Sequence, residues 1–174
     1  MKLDYKKILL IKLRYIGDSI NLLPVASNIK KQIPHVHLSV MINSGGEDIL
    51  EHSKDIDQLI CYDRQKMKHN KSFFSKIKSN LDFFYAVRKA KYDLVIDFSG
   101  ADRAALITFL SGAKSRWGFN YLDPLTSDPF KIGDVKSQGR SRYVNPLLRL
   151  CYNHFISADI SKMHIVDYQF SALQ

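Results

Sequence analysis

The stretch Lys7-Ile-Leu-Leu-Ile-Lys12 sets the strongest limit on what this chain can become. An apolar run fenced by lysines has no polar side, so a strand made from it must be covered on both faces, as in the interior of a parallel sheet. The run is too short for a membrane, since a spanning helix needs about 20 apolar residues and a signal-peptide core about 7–15. A length of 174 residues fits one domain. With 45% apolar and 25% charged residues, the composition is that of a folded globular chain, not a disordered or coiled-coil one. Cys61 and Cys151 make no disulfide framework and have no metal-ligand spacing, which points to a reduced, cytoplasmic protein.

Helix and strand signals alternate along the rest of the chain. After a turn at Tyr15–Ser19, apolar spacing at Leu22, Val25, Ala26, Ile29 and Ile33 predicts a helix that Pro34 stops. Pro24 can take the first position of that helix or kink one that starts earlier. Val36–Ile42 reads as a second strand, Ser44-Gly-Gly as a turn, Glu47–Ser53 as a short helix and Gln58–Tyr62 as a third strand. Phe73–Ala90 predicts a longer helix whose buried stripe is Phe73, Ile77, Leu81, Phe84 and Val87. A fourth strand at Tyr92–Phe98, a helix at Ala101–Leu110 and a fifth strand at Ser115–Phe119 follow. Asn120–Gln138 reads as a long surface loop. Arg140–Phe155 reads as a helix through Tyr143, Leu147, Leu150 and Cys151, and Met163–Gln174 as the start of another. This alternation predicts an α/β domain, a Rossmann-like doubly wound parallel sheet, whose ligands bind beyond the carboxyl ends of the strands. The loops Leu13–Ser19, Asp63–Lys71 and Asp97–Asp102 leave those ends.

Charge is concentrated. The chain carries +9, and Arg64–Lys91 alone has nine basic residues against Asp82. Such a segment suits an anionic partner, or else forms a solvated helix face.

Common nucleotide and nucleophile motifs are absent. The loop after the first strand has only Gly17 where a dinucleotide fingerprint needs three glycines, and there is no phosphate loop, nucleophile elbow or zinc spacing. What stands out is Gly17-Asp18 behind Lys12 and Arg14. Gly17 would let the backbone turn sharply at the strand end. Asp18 at a helix start can be a cap, stabilised as a carboxylate by the helix dipole, or a base that takes a proton from a sugar hydroxyl. The two roles are compatible, and the residues alone leave both open.

The opening Lys7-Ile-Leu-Leu-Ile-Lys-Leu-Arg-Tyr-Ile-Gly-Asp-Ser-Ile-Asn-Leu-Leu-Pro-Val25 resembles that of the ADP-heptose:lipopolysaccharide heptosyltransferases, glycosyltransferase family 9. Asp55–Asp63, Tyr92–Gly100, Ser111–Phe119 and Met163–Tyr168 resemble later stretches of that family in the same order. The resemblance implies the N-terminal domain of a two-domain GT-B enzyme, occupying residues 1–174, with the nucleotide-sugar domain lying beyond this chain. It implies metal-independent, inverting transfer of heptose from ADP-heptose to an inner-core sugar hydroxyl, without a cofactor. The family's presumed base maps onto Asp18, with Lys12, Arg14 and Gly17 beside it. Arg64, Lys66 and Lys68 occupy the place of the family's phosphate-binding loop. The expected partners are ADP-heptose and a phosphorylated lipopolysaccharide inner-core acceptor, with peripheral contact at the cytoplasmic face of the inner membrane and no nucleic acid. Without the second domain, the 174-residue chain is expected to transfer nothing.

Several residues carry blander readings. Asp97 ends a strand facing the cleft, as a turn or cap residue or as an acceptor contact. Trp117 reads as core more than sugar platform, His164 as a cap near a hinge, and Cys61 as a small buried hydrophobe. Phe73, Leu81 and Phe84 read as core. One rival function is single-stranded nucleic-acid binding through exposed Phe73, Phe74, Phe83, Phe84 and Tyr85 among the lysines. Another is a GT-B transferase of different sugar or nucleotide.

Overall fold

The computed structural model describes residues 5–13, 16–63, 73–121 and 150–158. Strands β1 (Lys7–Lys12), β2 (His37–Asn43), β3 (Gln58–Tyr62), β4 (Leu94–Asp97), β5 (Ser115–Tyr121) and β6 (His154–Ala158) form one sheet in the order β3-β2-β1-β4-β5-β6. Every adjacent pair is parallel. The expected doubly wound α/β fold is therefore present. The helices are α1 (Ile16–Ser19), α2 (Leu22–Gln32), α3 (Glu47–Leu50), α4 (Phe73–Lys89) and α5 (Asp102–Leu110).

The β1 run behaves as its composition demands. Ile8 and Leu10 enter one core with Leu22, Val25 and Ile29 of α2, while Leu9 and Ile11 enter the other with Val87 of α4 and Ala104 and Ile107 of α5. Two polar clamps set the amino ends of the strands. The Asp93 carboxylate accepts the Lys6 and Lys7 amides at 2.8 and 2.9 Å, and Asp57 accepts Lys30 Nζ and the Leu38 amide at 2.6 Å each. Pro24 lies in the first turn of α2, where a missing N–H costs nothing because no intrahelical acceptor precedes it. The helix begins two residues before it, at Leu22, with Asn21 as its N-cap, so Pro24 is the third helical residue and not the first.

The structure corrects four expectations. The Tyr15–Ser19 turn contains one helical turn, α1. The helix expected over Arg140–Phe155 gives way at its end to β6, which pairs with β5 from Trp117↔His154 to Tyr121↔Ala158. Residues 140–149 lie outside the described part, as do His164 and the 163–174 tail. Cys61 is exposed because β3 is an edge strand, and partial desolvation together with the neighbouring Glu47 carboxylate pushes its thiol up to about 11. It is a poor nucleophile, though not a buried one.

The fourth correction concerns the stripe on α4. Ile77 and Leu81 are 42% and 61% exposed, while Val87 is buried and Phe83, Phe84 and Ala90 pack against the second core. Leu81 stands about 120° and Ile77 about 80° round the helix from Val87, whereas Asn80, Phe83, Phe84 and Ala90 fall within about 60° of it. The core-facing line is set by contact with α5, where Arg103 donates to the Asn80 side chain at 2.8 Å. The side chain of Phe73 lies outside the described part. Two leucines test this assignment. Leu10→Ala should cost about 2–5 kcal/mol in urea unfolding, and Leu81→Ala no more than about 0.5 kcal/mol, because only the first leaves a cavity.

Candidate functional site

Strand order reverses direction between β1 and β4, and ligands of sheets of this kind bind beyond the carboxyl ends at such a switch point. The two strand ends are tied together there. The Phe98 amide donates to Ile11 O at 2.9 Å and the Leu13 amide to Ser99 Oγ at 2.7 Å. Ser99 Oγ in turn donates to Ile11 O at 3.4 Å. Asn43 at the end of β2 holds Leu13 O through its side-chain amide at 2.6 Å. Gly100, at φ 55°, then turns the chain into α5 in a backbone conformation that a side chain would strain.

Lys12 closes β1 with its side chain 7% exposed and Nζ donating to Phe98 O at 3.2 Å. The buried Lys12 side chain at the end of β1 is thus anchored to the β4 loop. Past residues 14 and 15, α1 carries Gly17 and Asp18 and lies against β2 and α2. Asp18 is the third residue of this turn, and the N-cap position of α2 falls to Asn21. Its side chain is outside the described part, as are Arg14, Arg64, Lys66 and Lys68. Gly17 is not in the left-handed region, so the expected sharp glycine turn is not what it supplies. It is exposed, and a Cβ placed on it would meet nothing within 4 Å. The glycine leaves bare backbone facing open space.

Asp97 does not face the cleft. It is 1% exposed on the α4–α5 side of the sheet, between its register partners Ile11 and Gly118. One carboxylate oxygen accepts the Ser99 amide at 2.6 Å, and the other accepts the Tyr152 hydroxyl at 2.6 Å. Burial pushes its carboxyl up to about 6, against the pull of these hydrogen bonds. Both carboxylate oxygens are thus engaged inside the domain, one of them in the turn after β4. Gly118 makes room for this contact, since a Cβ there would lie 2.8 Å from Cγ and Cδ1 of Tyr152. Ser99, Asn43 and Tyr152 were missed by sequence reasoning. Ser99-Gly100 at a strand end was a usable signal, but Tyr152 lies 55 residues from Asp97 inside a stretch with helical spacing.

The basic segment is divided in space. Lys7 Nζ, at the start of β1, donates to Ala90 O at 3.2 Å, and Arg88 lies against Gly112 just before β5. Arg88, Lys89 and Lys91 therefore sit at the amino pole, away from the carboxyl ends of the strands. Phe83 and Phe84 pack against the core, which removes them as stacking platforms for nucleic acid. Trp117 packs against the first core, edge-tilted to His154 at 5.6 Å. Among the described residues there is no cluster of three or more His, Cys, Asp or Glu suited to a metal, and no helix long and apolar enough to cross a membrane.

Compared as a sequence, the chain matches no protein-family model and no curated protein. Compared as a structure, it matches a glycosyl transferase of family 9 from Veillonella parvula with TM-score 0.71 and 21% identity, over 99% of this chain and 41% of that one. It matches E. coli heptosyltransferase WaaC with ADP-2-deoxy-2-fluoro heptose at TM-score 0.68 and 19% identity, over 94% and 45% of the two chains. E. coli ADP-heptose lps heptosyltransferase II follows at TM-score 0.53 and 18% identity, over 66% and 30%. The chain thus spans less than half of each, and has the fold of their N-terminal part.

Two substitutions test the buried contact. Gly118→Ala should destabilise by about 1–3 kcal/mol, because the atoms it meets lie at the root of the Tyr152 ring and cannot swing away. Asp97 lends full stability below its unfolded value near 4, and that stability is lost as pH rises through about 6. Urea titrations from pH 4 to 7 should show the wild type losing on the order of 3 kcal/mol relative to Asp97→Asn, which cannot ionise.

Proposed function

We propose that this chain is the acceptor-side domain of a glycosyltransferase that moves heptose from ADP-heptose to a hydroxyl of the lipopolysaccharide inner core. The observation that carries the reading is the fold, a parallel sheet with its switch point between β1 and β4, matched over nearly the whole chain by glycosyltransferases. Two of the matched structures are described as holding ADP or an ADP-heptose analogue, which supports a nucleotide-sugar donor.

In this reading the Asp18 carboxylate takes the proton of the acceptor hydroxyl. The freed oxygen pair attacks the anomeric carbon from the side opposite ADP, the bond to the β-phosphate oxygen breaks, and ADP leaves with its electrons. The configuration inverts. Gly17 lets the acceptor sugar approach the backbone. Arg14, Arg64, Lys66 and Lys68 offset the phosphates of the acceptor, so the transfer runs without a metal ion. Lys12 acts from within, fixing the β4 loop and adding positive potential beneath the switch point.

Transfer requires a donor domain alongside this one. In a protein carrying both, Asp18→Asn should lower kcat by about 10²–10⁴ with acceptor Kd unchanged, read by ADP release with ADP-heptose and phosphorylated inner-core oligosaccharide. Full turnover by that variant removes Asp18 as the base. Equal turnover with UDP-sugars moves the assignment to another GT-B specificity. Product formed by the 174-residue chain alone contradicts the division of labour.

A further inference from the structure

Leu13, the first residue past β1, is held by side chains from the strands on either side. The β1–β2 register ends at Lys12↔Ile42 and the β1–β4 register at Ile11↔Asp97. Beyond those points side chains take over from backbone. From the β2 side, Asn43 Nδ2 donates to Leu13 O at 2.6 Å, and from the β4 side Ser99 Oγ accepts the Leu13 amide at 2.7 Å. Ser99 is 4% exposed and is itself oriented, its hydroxyl donating to Ile11 O at 3.4 Å and its amide to the Asp97 carboxylate at 2.6 Å. Leu13 is buried as well, so little water competes for these bonds. Only residues 14 and 15 separate Leu13 from α1, the turn that carries Gly17 and Asp18. A link of that length spans at most ~11 Å from Cα to Cα, so its far end follows its near end closely. α1 in turn lies against β2, the strand that ends in Asn43.

We infer that Asn43 and Ser99 are positioning residues for the transfer step. By clamping both backbone groups of Leu13 they fix where the chain leaves the sheet, and with it where Asp18 stands against the acceptor hydroxyl. The inference rests on the reading of Asp18 as the base. A general base works only within hydrogen-bond reach of the proton it takes, and a misplacement of about 1 Å can cost about 100-fold in rate. Two opposed bonds on one residue hold it against twisting about the strand axis, which one bond alone does not. Both side chains act through the loop and need no contact with substrate.

The test is a double-mutant cycle in the protein that also carries the donor domain, read by ADP release, with acceptor Kd measured separately. Asn43→Ala and Ser99→Ala should each lower kcat about 10–100-fold, with acceptor Kd unchanged. Asn43→Asp keeps the shape and loses the donor, and should fall at least as far. In the Asp18→Asn background, Asn43→Ala and Ser99→Ala should change kcat by no more than about twofold, because no base is left to place. Wild-type kcat in both single variants, or losses that multiply with that of Asp18→Asn, overturn the inference and leave Asp18 as the base. Wild-type turnover in Asp18→Asn removes the base and the inference together. Hydrogen exchange on the 174-residue chain reads the clamp without catalysis. The Leu13 amide should exchange at least about tenfold faster in each variant, with the Leu9 and Val40 amides unchanged. An unaltered Leu13 rate also overturns the inference. Asn43 is only partly buried, so Asn43→Ala decides the matter if Ser99→Ala unfolds.

Discussion

Everything in this domain depends on the burial of β1. Its four apolar side chains alternate between two cores, and its two edges are occupied by β2 and β4. A strand covered on all sides must be central, and a central first strand with β2 on one edge and β4 on the other creates the switch point.

At the mouth of the sheet, polar groups are held out of water at some cost to stability. Asp97 is the clearest case, a carboxyl whose ionised form burial disfavours, retained between two hydrogen-bond donors. In a low-dielectric surrounding those bonds are stronger and more directional than at the surface. One of them reaches Tyr152, so the chain that returns after the long connection is tied to one of the two strands that flank the switch point. Ser99 does the equivalent work between β4 and β1.

The two faces of the domain divide its surface chemistry. The α2 side carries the loop with Gly17 and Asp18. The α4–α5 side carries the apolar stripe and, at the amino pole, the basic residues that in sequence look continuous with those after β3. A helix of 17 residues can hold two apolar stripes, and the sequence offers both without ranking them. Val87 and Phe84 were legible as core, but Leu81 was not distinguishable from them until the contact with α5 fixed the rotation of the helix.

By itself the sequence determined the class of fold and, apart from the single helical turn α1, the order of strands and helices up to β5. These depend on local patterns: an unbroken apolar run, alternation of period two, and turns marked by glycine and proline. Tertiary structure decided what depends on distant partners. It made Asp97 a buried anchor through Tyr152, turned the end of a helical-looking stretch into β6 by pairing it with β5, and exposed Cys61 by leaving β3 at an edge. Burial and edge position are properties of the assembled sheet, and no short window of residues contains them.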